Sequence, residues 1–262
     1  MTRERYGDVA ITLRDDFVTV AEIQRPPHNF FDHALIRDLA DAFDDLGRDP
    51  ACRAILLCAQ GKAFCAGANF GSGPSVLESA NPRSRNPLYD EAVRLFASEK
   101  PVVAAIQGPA IGGGFGLAVM ADFRIASPEA RFAANFVKLG IHPGFGLTVT
   151  LPELIGSQKA LDLFLTGRRI DGTEAHAMGL VDRLASAESL RDEALAFAAS
   201  IAENAPLAVQ STRHTLRRHL ASKVKEQTDR EGAEQSWLAR TQDHAEGIRS
   251  VAERRPGRFV GR

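Results

Sequence analysis

Ala54-Ile55-Leu56-Leu57-Cys58-Ala59 runs almost directly into Gly61-Lys62-Ala63-Phe64-Cys65-Ala66-Gly67-Ala68-Asn69-Phe70. The first segment is short, apolar and non-alternating, which reads as a strand covered on both faces. The same arrangement recurs where Val102-Val103-Ala104-Ala105-Ile106 leads into Gly108-Pro109-Ala110-Ile111-Gly112-Gly113-Gly114-Phe115-Gly116 and then the apolar Leu117-Ala118-Val119-Met120. Glycine opens dihedrals closed to other residues and lets a ligand approach the backbone. A triple glycine between strand and helix also leaves the first helical N–H groups free to face an anionic oxygen. Two such turns side by side supply one N–H each to one oxygen, which is an oxyanion hole. Tight turns needed only for close packing explain the same glycines, and at this level both readings stand. A dinucleotide fingerprint does not fit, because the spacing is wrong and no acidic residue follows at the required distance.

Working outward, Val9-Ala10-Ile11-Thr12-Leu13 and Phe17-Val18-Thr19-Val20-Ala21-Glu22-Ile23 flank Arg14-Asp15-Asp16 and predict an antiparallel hairpin. Helical spacing of Ala34, Leu35, Leu39, Ala42, Phe43 and Leu46 predicts a helix from Asp32 to near Gly47. A long irregular region between Phe70 and Pro87 is of the kind that forms lids or binding loops. Glu91 to Ser98 reads as helix, and Phe123-Arg124-Ile125-Ala126 and Arg131-Phe132-Ala133-Ala134 as strands. Helical pieces are expected at 161–165 and 172–178, with a longer helix from Ser189. Beyond Pro206 the pattern is wholly helical: Val209, Thr212, Leu216 and Leu220 share a stripe, a long run covers 221–244, and a short piece surrounds Gly247. Alternating strands and helices followed by helices alone specify an α/β fold, divided into a core over residues 1–200 and a helical region over 201–262.

The 262 residues suit one good-sized domain, or a domain with a short appendage. A formal net charge of −1 excludes a global cationic field for nucleic acid or an anionic membrane. Cys52, Cys58 and Cys65 are too few and too irregular for a disulfide framework or closed zinc knot, and no apolar run reaches the roughly 20 residues of a membrane span. A cytoplasmic protein is expected, with no metal.

The two glycine turns resemble the signature of the crotonase superfamily, the enoyl-CoA hydratase/isomerase family: G-x-A-F-x-A-G-A-D over Gly61 to Asn69, then P-x-x-A-A-x-x-G-x-x-x-G-G-G over Pro101 to Gly114. The likeness continues through Ala121-Asp122-Phe123-Arg124-Ile125-Ala126, Leu139-Gly140-Ile141-His142-Pro143-Gly144, Thr166-Gly167-Arg168, Met178-Gly179-Leu180-Val181 and Arg255-Pro256-x-x-Phe259. It implies a spiral of ββα units with a C-terminal helical region that trimerises, two trimers commonly stacking as a hexamer. The implied ligand is an acyl-coenzyme A thioester, with coenzyme A part of the substrate and no tightly bound cofactor. The implied oxyanion donors are the N–H groups of Ala68 and Gly113. Arg25, His28, Asn29 and Ala66 match positions that face the coenzyme.

The sequence departs from the pattern where it matters for proton transfer. The two positions at which hydratases of this family carry glutamates hold Gly116 and Phe136, and the aspartate position of an isomerase branch holds Gly144. Slow crotonyl-CoA hydration is therefore expected. His142, with an ordinary pKa suited to a general base, is a substitute candidate. Tyr89, Asp90 and Glu91 are further candidates, entering from the side of the long loop. Asn135 could hydrogen-bond a carbonyl, whereas Lys138 reads as solvated, Cys65 as packing and Asn69 as a turn residue. Arg213 and Arg217 read as surface or subunit contacts, and Phe115, Phe136 and Phe145 as acyl-pocket residues if they face inward. The leading expectation is an acyl-CoA enzyme with a non-standard or missing acid/base. The alternatives are a non-catalytic acyl-CoA-binding or interaction protein, and a thioesterase or C–C hydrolase.

Overall fold

The computed structural model describes residues 2–69 and 86–262, so the expected loop between Phe70 and Pro87 lies almost wholly outside the described residues. Strands are β1 (Arg5–Tyr6), β2 (Val9–Leu13), β3 (Val18–Ile23), β4 (Ala54–Ala59), β5 (Val102–Ile106), β6 (Pro109–Ile111), β7 (Phe123–Ala126), β8 (Arg131–Ala133), β9 (Arg169–Asp171) and β10 (Arg183–Leu184). Helices are α1 (His33–Arg48), α2 (Pro87–Phe96), α3 (Gly113–Met120), α4 (Leu147–Ile155), α5 (Ser157–Thr166), α6 (Gly172–Met178), α7 (Leu190–Ala202), α8 (Pro206–Arg217), α9 (Leu220–Leu238) and α10 (Gln242–Ala252).

The expected hairpin is β2 and β3, paired antiparallel from Val9↔Ile23 to Leu13↔Thr19. It extends into a seven-stranded sheet of order β1-β2-β3-β4-β5-β7-β10, parallel from β3 onward. The apolar runs of β4 and β5 are explained by cover on both faces. Ile55, Leu57, Ala104 and Ile106 pack with Leu35, Leu39 and Phe43 of α1, while Leu56, Val103 and Ile125 pack with Ala194, Ala198 and Ala202 of α7. A second sheet, β6-β8-β9, is not predicted at β6, whose three residues sit inside the glycine-rich segment, nor at β9. The helix expected from Glu91 begins earlier, because Asn86 caps it through Leu88 N (3.0 Å) with Pro87 in the first turn.

The tail is helical as expected, with its long run broken at Thr241, whose hydroxyl caps α10 through His244 N at 3.1 Å. Helix α9 packs on α2 and α4, and α10 on the 3₁₀ turn Asn135–Leu139. At Arg213 and Arg217 the surface half of the sequence reading is corrected. Rather than serving the surface, they close within the chain on the two oxygens of Asp122, at 2.8 and 2.6 Å. This is how α8, which buries none of its own residues, is tied to the sheet. No helix among the described residues is long and apolar enough to cross a membrane.

Candidate active site

The first glycine turn is pinned by side chains from two directions. Asn29, buried at φ 49°, donates through Nδ2 to the carbonyls of Gln60 (2.8 Å) and Ala63 (2.7 Å). Gln107 Nε2 donates to the carbonyls of Ala59, Gly61 and Ala63. Backbone bonds then stitch the turn to its neighbours: Ala66 N to His28 O (3.0 Å), Phe31 N to Gly67 O (3.1 Å), and Ile111 N to Cys65 O (3.0 Å). Bridges Phe31↔Ala68 and Cys65↔Ala110 thus lay the first turn alongside the second.

Close approach dictates the glycines at the junction. A Cβ at Gly67 (φ 80°) would stand 2.6 Å from Ile111 O and 3.8 Å from Gly113 N. A Cβ at Gly113 would strike the Phe31 ring at 1.9 Å, and one at Gly114 would strike Cys65 O at 2.0 Å. The packing reading of these glycines is therefore correct, and it is the means by which the two turns meet. Among the described residues, the N–H groups of Ala68 and Gly113 have no hydrogen-bond acceptor. Gly113 opens α3, whose first-turn N–H groups and dipole present positive potential to the space in front of them.

That space is a cavity of about 560 Å³. Ala66, Gly67, Ala68, Gly112 and Gly113 form one wall. The other walls are apolar, with Phe31, Phe136, Phe145, Leu139 and Ile141 prominent, and α10 adds Ile248, Val251 and Ala252. Phe115 does not line it; its buried ring packs on Phe132 instead. Gly116 is buried, and the place where its side chain would go is filled: a Cβ there would lie 2.8 Å from the Cβ and Cδ1 of Phe145. Phe145 holds this position with φ at 63°, a conformation uncommon for a bulky residue.

Gly144 is filled in the same way, its Cβ position lying 2.2 Å from Tyr89 Oη and 2.7 Å from Gln235 Nε2. Tyr89 Oη donates to Gln235 Oε1 at 2.6 Å, and Gln235 Nε2 donates to His142 O at 2.9 Å. Burial pushes the Tyr89 phenol far above the ordinary tyrosine range, and the nearby Glu231 adds to the shift. Glu231 itself accepts from Gly146 N (2.8 Å), Thr148 N (3.1 Å) and Thr148 Oγ1 (2.6 Å), fixing the start of α4. Burial raises its carboxyl to about 7.

The remaining sequence candidates scatter. His142 lines a different cavity, with Nδ1 on the Pro143 carbonyl at 2.8 Å, so the ring offered as proton carrier is not placed with Ala68 and Gly113. Asp90 and Glu91 lie outside the cavity, Glu91 paired with Arg94. Arg25 is engaged by Asp8 and by Asp32 (3.0 Å), His28 is exposed against Phe30, and the amide of Asn29 is spent inside the fold. Asn135 lines the cavity, and Lys138 is exposed. Burial raises the Cys65 thiol to about 12, which removes it as a nucleophile. Sequence reading missed Gln235, the α10 residues, and two cations at the cavity, Arg131 and Arg169. The first group comes from the distant tail and leaves no local signal. Arg169 directly follows the family-like Thr166-Gly167-Arg168. Among the described residues, no group of three or more His, Cys, Asp or Glu side chains could hold a metal ion.

A family profile described as enoyl-CoA hydratase/isomerase matches residues 14–262. The chain belongs to the enoyl-CoA hydratase/isomerase family. Membership carries acyl-CoA thioester chemistry as the general activity. The chain is 37% identical over 224 residues to a putative enoyl-CoA hydratase of Thermus thermophilus, covering 84% of this chain and 88% of that one. It is 33% identical over 257 residues to a crotonyl-CoA hydratase of Syntrophomonas wolfei, covering 96% and 98%. An enoyl-CoA hydratase/isomerase structure from Pseudoalteromonas atlantica superposes with a TM-score of 0.87 at 30% identity, covering 97% of this chain and all of that one.

Proposed function

We propose that this enoyl-CoA hydratase/isomerase family member holds the thioester carbonyl oxygen of an acyl-CoA between the N–H groups of Ala68 and Gly113 and stabilises the enolate formed there. The observation that carries this reading is the seam between the two turns, which puts Gly67 and Gly113 side by side at the wall of a 560 Å³ cavity. Each preorganised donor of this kind lowers a barrier by about 3–4 kcal/mol. Gly116 and Phe136 stand in for the paired carboxylates of a hydratase, so the acid/base set is non-standard. Arg131 and Arg169, on adjacent strands at the cavity, supply the charge for the coenzyme phosphates, with Ala66 at the wall.

The division at residue 200 and a trimer, or two stacked trimers, belong to the same reading. Leu207 and Leu216 on α8 are 79% and 81% exposed, an apolar surface suited to a second copy. A non-catalytic acyl-CoA-binding role is the second reading, favoured by the absence of any carboxylate among the described residues that line the cavity. Calorimetric titration with saturated and unsaturated acyl-CoA thioesters tests the binding half. Crotonyl-CoA hydration tests the chemistry: very slow turnover is expected, and a hydratase-like rate would show that an acid–base pair reaches the substrate after all.

A further inference from the structure

The cavity that His142 lines, of about 580 Å³, shares a wall with the first. Its surface is mostly apolar, with Val137, Pro143, Phe164, Leu165, Trp237 and Leu238 prominent. The segment from Phe136 to Phe145 divides the two spaces. Phe136, Leu139, Gly144 and Phe145 line the first cavity, whereas Val137, Gly140, His142 and Pro143 line the second, so the partition is one chain thick. Among the described residues that line these cavities, Ile141 alone belongs to both, and its side chain is buried in the partition. The backbone around it is anchored. Ile141 N donates to Phe136 O at 3.1 Å, His244 Nδ1 holds the Leu139 carbonyl at 2.7 Å, and Gln235 Nε2 donates to the His142 carbonyl at 2.9 Å. With α9 and α10 fixing the chain on both sides of it, Ile141 is a stop and not a swinging gate.

We propose that Ile141 sets the length of acyl chain this site accepts: short chains end against it, and the second cavity is the room that longer chains are denied. The proposal rests on the oxyanion role of Ala68 and Gly113, which fixes one end of the acyl group at the glycine wall. With the coenzyme phosphates drawn to Arg131 and Arg169, the chain is left the apolar surface of Phe136, Leu139, Ile141 and Phe145. Up to the stop, each further methylene leaves water and tightens binding about fourfold. Past it, a methylene must push aside a buried side chain on anchored backbone, and overpacking cancels the gain. Shortening residue 141 joins the two apolar spaces, so the gain resumes for chains that reach the second.

Calorimetric titration of the full-length protein with saturated acyl-CoA thioesters, from butyryl to dodecanoyl in two-carbon steps, reads the stop directly. Wild-type affinity should climb about fifteenfold per step and then level or fall at a break. Ile141→Ala should move that break to longer chains. Ile141→Val loses a single methyl and keeps the fold more safely, and the first chain past the break should gain about fourfold in it. Leu165 lines the second cavity at 68% exposure, so Leu165→Trp fills space there without disturbing the core. Alone it should leave the series unchanged, and with Ile141→Ala it should return the break towards its wild-type place. A wild-type series without a break, or one that both Ile141 variants leave as it was, overturns the stop while butyryl-CoA binding keeps the thioester reading. A break that moves in Ile141→Ala and ignores Leu165→Trp overturns the role of the second cavity. Failure of the wild type to bind any of the thioesters removes the oxyanion reading and the stop together.

Discussion

The two halves of the cavity are built on different principles. One wall is backbone: two turns locked by bridges, with glycines wherever a Cβ would strike a carbonyl or a ring. The facing wall is side chains drawn from α2, the Phe145 turn, α9 and α10; Phe145 fills the space beside Gly116, and Tyr89 and Gln235 that beside Gly144. A backbone wall tolerates almost no change at its glycines. A side-chain wall can be rewritten residue by residue, and here Tyr89, Gln235, Phe136 and Phe145 make it up.

The largest effect should come from the backbone wall. Gly113→Pro and Gly113→Ala place similar bulk against Phe31, but only proline removes the N–H. Thioester turnover should fall a further hundred- to thousandfold in the proline variant relative to the alanine variant. Equal rates in the two would separate the amide from the chemistry.

The side-chain wall is probed by introducing a carboxylate. Gly116→Glu alone meets Phe145 and should lower stability by about 2–3 kcal/mol through overpacking. Phe145→Ala alone should also destabilise, by about 3 kcal/mol, as a buried ring is lost. Chemical denaturation of the double variant should reveal a favourable coupling of about 1–3 kcal/mol. Strict additivity would mean that Phe145 does not occupy the place of a side chain at 116.

A smaller effect belongs to Glu231, which supports the turn after Phe145. Its carboxyl ionises near 4.5 when unconstrained and at about 7 in the fold. The native state therefore binds the extra proton, and the stability from this group is full below about pH 4.5 and lost as pH rises to about 7, some 3 kcal/mol in all. Asp16 beside Arg14, and Asp45 beside the Tyr6 hydroxyl, are held low and act in the opposite sense. Subtracting the pH–stability curve of Glu231→Gln isolates the window, and a difference curve flat from pH 4.5 to 7 would contradict the raised value.

The same contrast governs what the sequence makes legible. The hairpin, α1, β4 and β5 announce themselves because period and burial agree locally, and the glycine turns do so because close approach leaves no other residue type. Helix α4 is hidden: Thr148, Val149 and Thr150 favour strand, Pro152 sits inside it, and its start is held by Glu231 from a helix far along the chain. Strand β6 exists by pairing with β8 on one side and with Cys65 on the other, and so leaves no period of its own. His142 looked suitable by type and position, yet which cavity it lines is decided by the tail that packs over it. Tyr89 was one of three neighbours on α2, and only the helix phase selects it.

Helix α10 sits on the 3₁₀ turn through Gly247, where a Cβ would lie 2.5 Å from the Leu139 carbonyl carbon, and through His244 on the Leu139 oxygen at 2.7 Å. Because its residues complete the cavity, ligand affinity is scaled by the fraction of molecules in which this last helix is docked. Fraying at the carboxyl end then weakens binding well before the sheet melts, so warming would empty the site of a protein whose circular dichroism still looks native.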